Sequence, residues 1–106
     1  MDFLILSVNP GSTTTKIALY RSEAELWRCE IQHSEAETSA HVSIARQTAI
    51  RKARILAELS ARALDPCELS AVVGRGGMLP PVKPGGYTVN SAMLRWLMRS
   101  EFGFHA

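Results

Sequence analysis

The sequence predicts an α/β domain: an antiparallel three-strand meander and a later parallel strand in one mixed sheet, with helices packed on it. Three features predict this. Three β-patterned runs follow one another with short links over residues 3–32, which argues for neighbouring antiparallel strands. The period then changes to that of a helix over residues 41–64. A further apolar run at 69–73 follows the helix and asks for a right-handed crossover back onto the first strand. The length of 106 residues fits one domain spanning 1–106, with one modest core.

The elements follow in order. Residues 3–8, Phe3-Leu4-Ile5-Leu6-Ser7-Val8, are apolar on both faces and read as a buried strand. Residues 15–21 alternate, with Thr15, Ile17 and Leu19 on one side and Lys16, Ala18 and Tyr20 on the other. Residues 24–32 alternate again, and the face bearing Trp27, Cys29 and Ile31 is assigned to the core. Residues 34–40 are polar and carry no β signal. Val42, Ala45, Ala49, Ile50, Ala53, Leu56, Leu59 and Ala63 then recur at spacings of three and four, which predicts a helix of about six turns. Ser39 or Ser43 caps its start, Glu58 and Arg62 form an i,i+4 pair, and Asp65-Pro66 ends it. Residues 69–73 form a short buried strand. Glycines and prolines keep residues 74–86 irregular, Thr88-Val89 form a brief strand, and Asn90 caps a final helix carrying Met93, Leu94, Leu97 and Met98.

Composition narrows the function classes. The chain is 46% hydrophobic and 21% charged, the profile of an ordinary globular domain. A net charge of +2 is too small to argue for nucleic acid or an anionic membrane surface. Arg46, Arg51, Lys52, Arg54 and Arg62 make the long helix basic, and a solvated face accounts for them. Cys29 and Cys67 lie far apart in no metal spacing and read as free thiols of a reducing compartment. The N-terminus is not basic, and its apolar run is too short for a signal core or a membrane span. The expected location is the cytoplasm, with no nucleic-acid and no membrane partner.

Two bends carry chemistry. The first is Asn9-Pro10-Gly11-Ser12-Thr13-Thr14-Thr15-Lys16, between the first two strands. A plain hairpin turn needs only two such residues. Gly11 permits a tight turn and close approach of a ligand. Ser12, Thr13, Thr14 and Thr15 supply hydroxyls, exposed amides form an anion-binding concavity, and Lys16 adds positive charge. Asn9 ends a buried strand, where open α/β sheets place ligands. The combination suits a phosphate group with its magnesium ion. Equally, the hydroxyls decorate a solvated turn. The second bend is Val72-Val73-Gly74-Arg75-Gly76-Gly77, where Arg75 lies between glycines just after a strand, placed to hold a carboxylate or phosphate in two-point fashion. The plainer alternative is a surface arginine in a loop. Trp27, Trp96, Met93 and Met98 read as core, and His33 and His41 flank a polar loop without ligand partners.

A strand, the NPGSTTTK bend and another strand resemble the first phosphate-binding hairpin of the acetate and butyrate kinase family, within the acetate kinase, sugar kinase, chaperone ATPase and actin superfamily. Residues 71–94, AVVGRGGMLPPVKPGGYTVNSAML, resemble the butyrate kinase branch. The resemblance implies a partial ribonuclease-H-like (actin-like ATPase) fold. It also implies a reaction in which ATP and a short-chain carboxylate, butyrate or a branched relative, give ADP and an acyl phosphate. It places Asn9, Gly11, Ser12, Thr14 and Lys16 around the phosphoryl group of ATP, with Asn9 near Mg2+. Arg75, with Gly76 and Gly77, holds the acid or the moving phosphoryl group, and His105 donates to developing negative charge. The family's chains are much longer and two-lobed. This chain therefore corresponds to an amino-terminal portion, one wall of an inter-lobe site, and is expected to be inactive alone. Two readings compete: a non-catalytic assembly or regulatory module that keeps the fold, and a basic nucleic-acid-binding domain. An unpaired sheet edge also offers a second copy a place to form a homodimer.

Overall fold

The computed structural model describes residues 2–39, 41–75, 85, 86 and 88–92. Strands β1 (Leu4–Pro10), β2 (Thr14–Arg21) and β3 (Ala24–Gln32) form the meander, and β4 (Ala71–Gly74) follows two helices, α1 (Glu35–Thr38) and α2 (Ile44–Ala61). The sheet order is β3-β2-β1-β4. β1 and β3 both run antiparallel to β2, and β4 runs parallel to β1 with Val8 opposite Gly74. This is the mixed α/β sheet that the sequence predicts.

Alternation sorts the sheet into two faces. Leu6, Ile17, Leu19 and Ile31 meet Leu59 of α2 in the core, with Val8, Trp27, Cys29 and Ile55 packed around them. The other face carries Ser7, Asn9, Lys16, Tyr20, Arg28 and Glu30 around an open trough of about 480 Å³. A bulge at Leu19/Tyr20 shifts the β2–β3 register near the Ser22 turn, where Ser22 takes a positive φ of 53°.

Five expectations change. Residues 34–40 contain the short helix α1. Its Ser34 N–H donates to the Glu37 carboxylate at 2.9 Å in a capping box, a Ser-x-x-Glu signature legible in the sequence. Helix α2 starts at Ile44 with Ser43 as its cap, the Ser43 hydroxyl accepting from the Arg46 N–H at 3.2 Å. It stops at Ala61, before Asp65-Pro66, because Arg62 caps it and Ala63 adopts a left-handed φ of 57°. Asp65 instead caps a 3-10 turn at Pro66–Glu68.

The inward stripe of α2 is also different. Gln47, Arg51 and Leu59 are buried, whereas Ala45, Ala49, Ala53 and Leu56 are exposed. Alanine favours any helix position, so its spacing marks the helix without marking its buried face. Strand β4, expected to be buried, is exposed along its length, with Val73 at 56% exposure. Among the described residues β1 is its only paired neighbour. Thr88 and Val89 form no strand, while Ser91 and Ala92, directly after Asn90, are helical. Met93 onward, including Trp96, lies outside the described residues.

Candidate functional site: the β1–β2 hairpin and the end of β4

The bend that the sequence spreads over eight residues turns on two. Pro10 pairs with Thr15 across the hairpin, and the Gly11 N–H donates to the Thr14 carbonyl at 2.7 Å, leaving Ser12 and Thr13 at the tip. Both tip residues are exposed. Among the described residues their amides donate to no backbone carbonyl. Gly11 keeps this turn uncrowded: a Cβ there would lie 3.1 Å from the Thr14 hydroxyl, which would have to give by a few tenths of an ångström, and 3.4 Å from the Thr14 carbonyl oxygen.

Three carbonyl oxygens of the bend, those of Gly11, Thr13 and Thr14, are occupied from behind. Thr13 accepts from the His33 N–H at 2.9 Å. Arg51, reaching from α2, donates Nη2 to the Gly11 carbonyl, and Nη1 to the Thr14 carbonyl and the Thr15 hydroxyl, each at 2.7 Å. The Thr15 hydroxyl also meets His33 Nε2 at 2.7 Å. Thr15 is fully buried, and Arg51 and His33 nearly so. Burial, and then the Arg51 charge, push the His33 pKa below its usual 6.5; Glu37 acts in the opposite direction. Burial also lowers the Arg51 pKa, from a value so high that the guanidinium keeps its charge.

Two expectations are corrected here. Thr15 is not an outward hydroxyl of the bend but a buried link to the helix. Arg51 is not part of a solvated basic face. A hydrophobic-period reading misses both because the inward face of α2 at this end is polar. The signal that could have found them is the bend itself, whose carbonyl groups need donors. The basic face is further reduced by Arg54, 3.8 Å from Glu37, and by Arg62, which pairs with Glu58 at 3.7 Å and lies 4.2 Å over the Trp27 ring.

Asn9 and Lys16 are cross-strand partners near the tip, on the trough side of the sheet, and Lys16 faces Glu30 in the next strand. Arg75 follows β4 directly. Its N–H donates to the Val8 carbonyl at 3.1 Å, so the parallel pairing runs on and sets Arg75 beside the Asn9 end of β1. The two bends therefore leave from neighbouring strand ends. Gly76, Gly77 and His105 lie outside the described residues. Among the described residues no group of three or more His, Cys, Asp or Glu gathers to cage a metal. Both cysteines are free thiols, and no helix among the described residues is long and apolar enough to cross a membrane.

No protein-family model matches the chain. Curated relatives do match, along its whole length. It is 43% identical over 106 residues to a probable butyrate kinase of Clostridium botulinum and 42% identical to butyrate kinase 2 of Clostridium acetobutylicum. A probable butyrate kinase of Coprothermobacter proteolyticus is 39% identical over the same 106 residues. The chain is a homologue of the butyrate kinases. It spans about 30% of the length of each of these relatives. The homologous stretch includes both bends, so the site residues above belong to the part shared with those kinases.

Proposed function

We propose that the chain is the amino-terminal wall of a butyrate-kinase-type phosphotransferase, which converts ATP and butanoate, or a branched short-chain carboxylate, to ADP and an acyl phosphate. A carboxylate oxygen bonds to the γ-phosphorus as the bond from that phosphorus to the ADP oxygen breaks, and the electron pair leaves with ADP. Such a transfer asks the protein for position and for neutralised charge.

One observation carries the reading. A bend whose Gly11, Thr13 and Thr14 carbonyl oxygens are taken up from behind, and whose Ser12 and Thr13 amides donate to no backbone carbonyl among the described residues, lies at the strand end next to Arg75. Ser12 and Thr13 would donate to phosphate oxygens, Thr14 and Lys16 would complete the cradle, and Arg75 would hold the acid or the transferring phosphoryl group. The donor set fits a nucleotide phosphate. Magnesium fits only as a companion of that phosphate, because Asn9 offers a neutral oxygen and no carboxylate cluster gathers among the described residues. When bound, magnesium supplies charge to the phosphate oxygens. His105 would donate to the acyl-phosphate oxygen.

The test supplies the rest of the protein. The chain is mixed with, or fused to, the remaining portion of a butyrate kinase homologue, and butyrate-dependent ADP formation is followed. The chain alone is expected to be inactive and the joined protein active. Arg75→Ala is expected to lower turnover about 100-fold, the scale of losing one charge-stabilising donor. Unchanged turnover in a folded Arg75→Ala protein removes Arg75 from the site. An inactive joined protein whose loop amides ignore phosphate favours the non-catalytic module.

A further inference from the structure

We propose that Arg51 is a positioning residue that shapes the Gly11–Thr15 bend for an anion. This rests on the reading of the bend as a phosphate site.

The geometry points to this in three steps. First, the tip is not closed by a full pair of backbone bonds. The Gly11 N–H reaches the Thr14 carbonyl, but among the described residues the reciprocal bond from the Thr14 N–H to the Gly11 carbonyl is not made. The usual two-residue hairpin achieves that closure with positive φ angles at its tip, and Ser12 and Thr13 have none. The Gly11 carbonyl takes the Arg51 guanidinium instead, at 2.7 Å. Second, one planar group ties three acceptors from both sides of the turn, the Gly11 and Thr14 carbonyls and the Thr15 hydroxyl. That fixes the width of the bend with a fork that lysine cannot reproduce. Third, docking of α2 does not need a cation. Leu59 and Ile55 already pack on the sheet, and an apolar residue at position 51 would add to that without desolvating a charge. Arg51 Nε and the Gln47 amide oxygen are buried with no partner among the described residues, a cost that packing alone does not explain.

The consequence is electrostatic as well as geometric. Carbonyl oxygens facing an anion repel it. Here those of Gly11, Thr13 and Thr14 are all engaged within the protein, while the Ser12 and Thr13 amides are left over at an exposed tip. A buried positive charge directly behind that tip adds to its attraction for negative oxygen.

The test uses the 106-residue chain labelled with nitrogen-15, at a pH where His33 is neutral, with inorganic phosphate as the probe. Two readouts are taken: saturable phosphate shifts of the Ser12 and Thr13 amides, and hydrogen exchange of the Gly11 and His33 amides against that of the central strand amides. Arg51→Met keeps the aliphatic stem and removes all three bonds. It is expected to raise exchange at Gly11 and His33 about tenfold and to weaken phosphate binding about tenfold, the scale of one charge-assisted hydrogen bond. Arg51→Lys is expected to fall between, recovering charge without the fork. Thr15→Val, which keeps the β-branched shape at a strand position, is expected to shift both readouts in the same direction by about threefold, and it decides the matter if Arg51→Met fails to fold. Exchange unmoved in a folded Arg51→Met protein, or phosphate affinity unmoved while exchange rises, overturns the proposal. If the unaltered chain ignores phosphate while exchange rises in Arg51→Met, the anion site fails and Arg51 remains only a structural clamp.

Discussion

At position 11 a methyl group would crowd the bend. A Cβ would press on the Thr14 hydroxyl at 3.1 Å and on the Thr14 carbonyl oxygen, which is itself held by Gly11 and Arg51. Gly11→Ala is therefore expected to lose about 1–2 kcal/mol in urea denaturation, because the Thr14 hydroxyl must give by a few tenths of an ångström beside a carbonyl that two bonds hold. An unchanged midpoint would mean that the bend yields. Arg75, exposed and in no ion pair among the described residues, contrasts with it: Arg75→Ala is expected to stay within about 0.5 kcal/mol of the parent, so its effect on turnover reads function and not folding. His33 adds a pH dependence. Its folded pKa lies below 6.5 because of burial and then Arg51, with Glu37 opposing and Arg54 reinforcing. The unfolded chain thus binds a proton first as pH falls. Stability should be unaffected by this group above about pH 7, decline as pH falls through 6.5, and stop declining below the folded pKa. Thermal midpoints from pH 8 to pH 5 should show a drop that His33→Gln diminishes. An equal drop in both proteins would assign it to other groups.

At the scale of elements, the start of α2 makes a discriminating case. Sequence offers Ser39 and Ser43 as caps for one helix, and the structure divides them: Ser43 accepts from Arg46, while Ser39 closes α1 through its backbone. Ser43→Ala should cost about 1 kcal/mol and Ser39→Ala much less, measured by urea denaturation. Equal losses would contradict the assignment. The same region shows what sequence can carry. Strand β3 is legible to the residue because its alternation separates Trp27, Cys29 and Ile31 from their polar neighbours. The parallel placement of β4 follows from the crossover rule. The buried face of α2 is not legible by apolar spacing, since Gln47 occupies it to bond the Val42 and Ser39 carbonyls and Arg51 to satisfy a polar bend more than thirty residues earlier. Of the candidate site, the two bends are written in glycine, hydroxyl and arginine positions, and the crossover that lays β4 beside β1 makes them leave from neighbouring strand ends. The support behind the first bend is long-range hydrogen bonding, which no local pattern records.

Across the molecule, protection from opening should follow how each strand is flanked. β2 is paired on both sides and holds Thr15, Ile17, Ala18 and Leu19 in the interior. Helix α2 is fastened to the same unit twice, by Leu59 in the core and by Arg51 at the bend. Strand β4 has four residues, all exposed, and among the described residues it pairs only with β1. Local openings draw on the least buried elements, so native-state hydrogen exchange in rising urea should show two classes. Amides of β2, and those of α2 from Arg51 to Leu59, should converge on the global unfolding free energy. Amides of Val72 and Val73 should exchange by a lower-energy opening with little urea dependence, because little surface is newly exposed. The chain spans about 30% of the length of its butyrate kinase homologues, so the same measurement on the joined protein tests whether that edge gains cover. There the β4 amides should move toward the protected class while β2 stays where it was. If β4 already exchanges with β2 in the chain alone, the sheet opens as one unit and Arg75 stands on ground as firm as the hairpin.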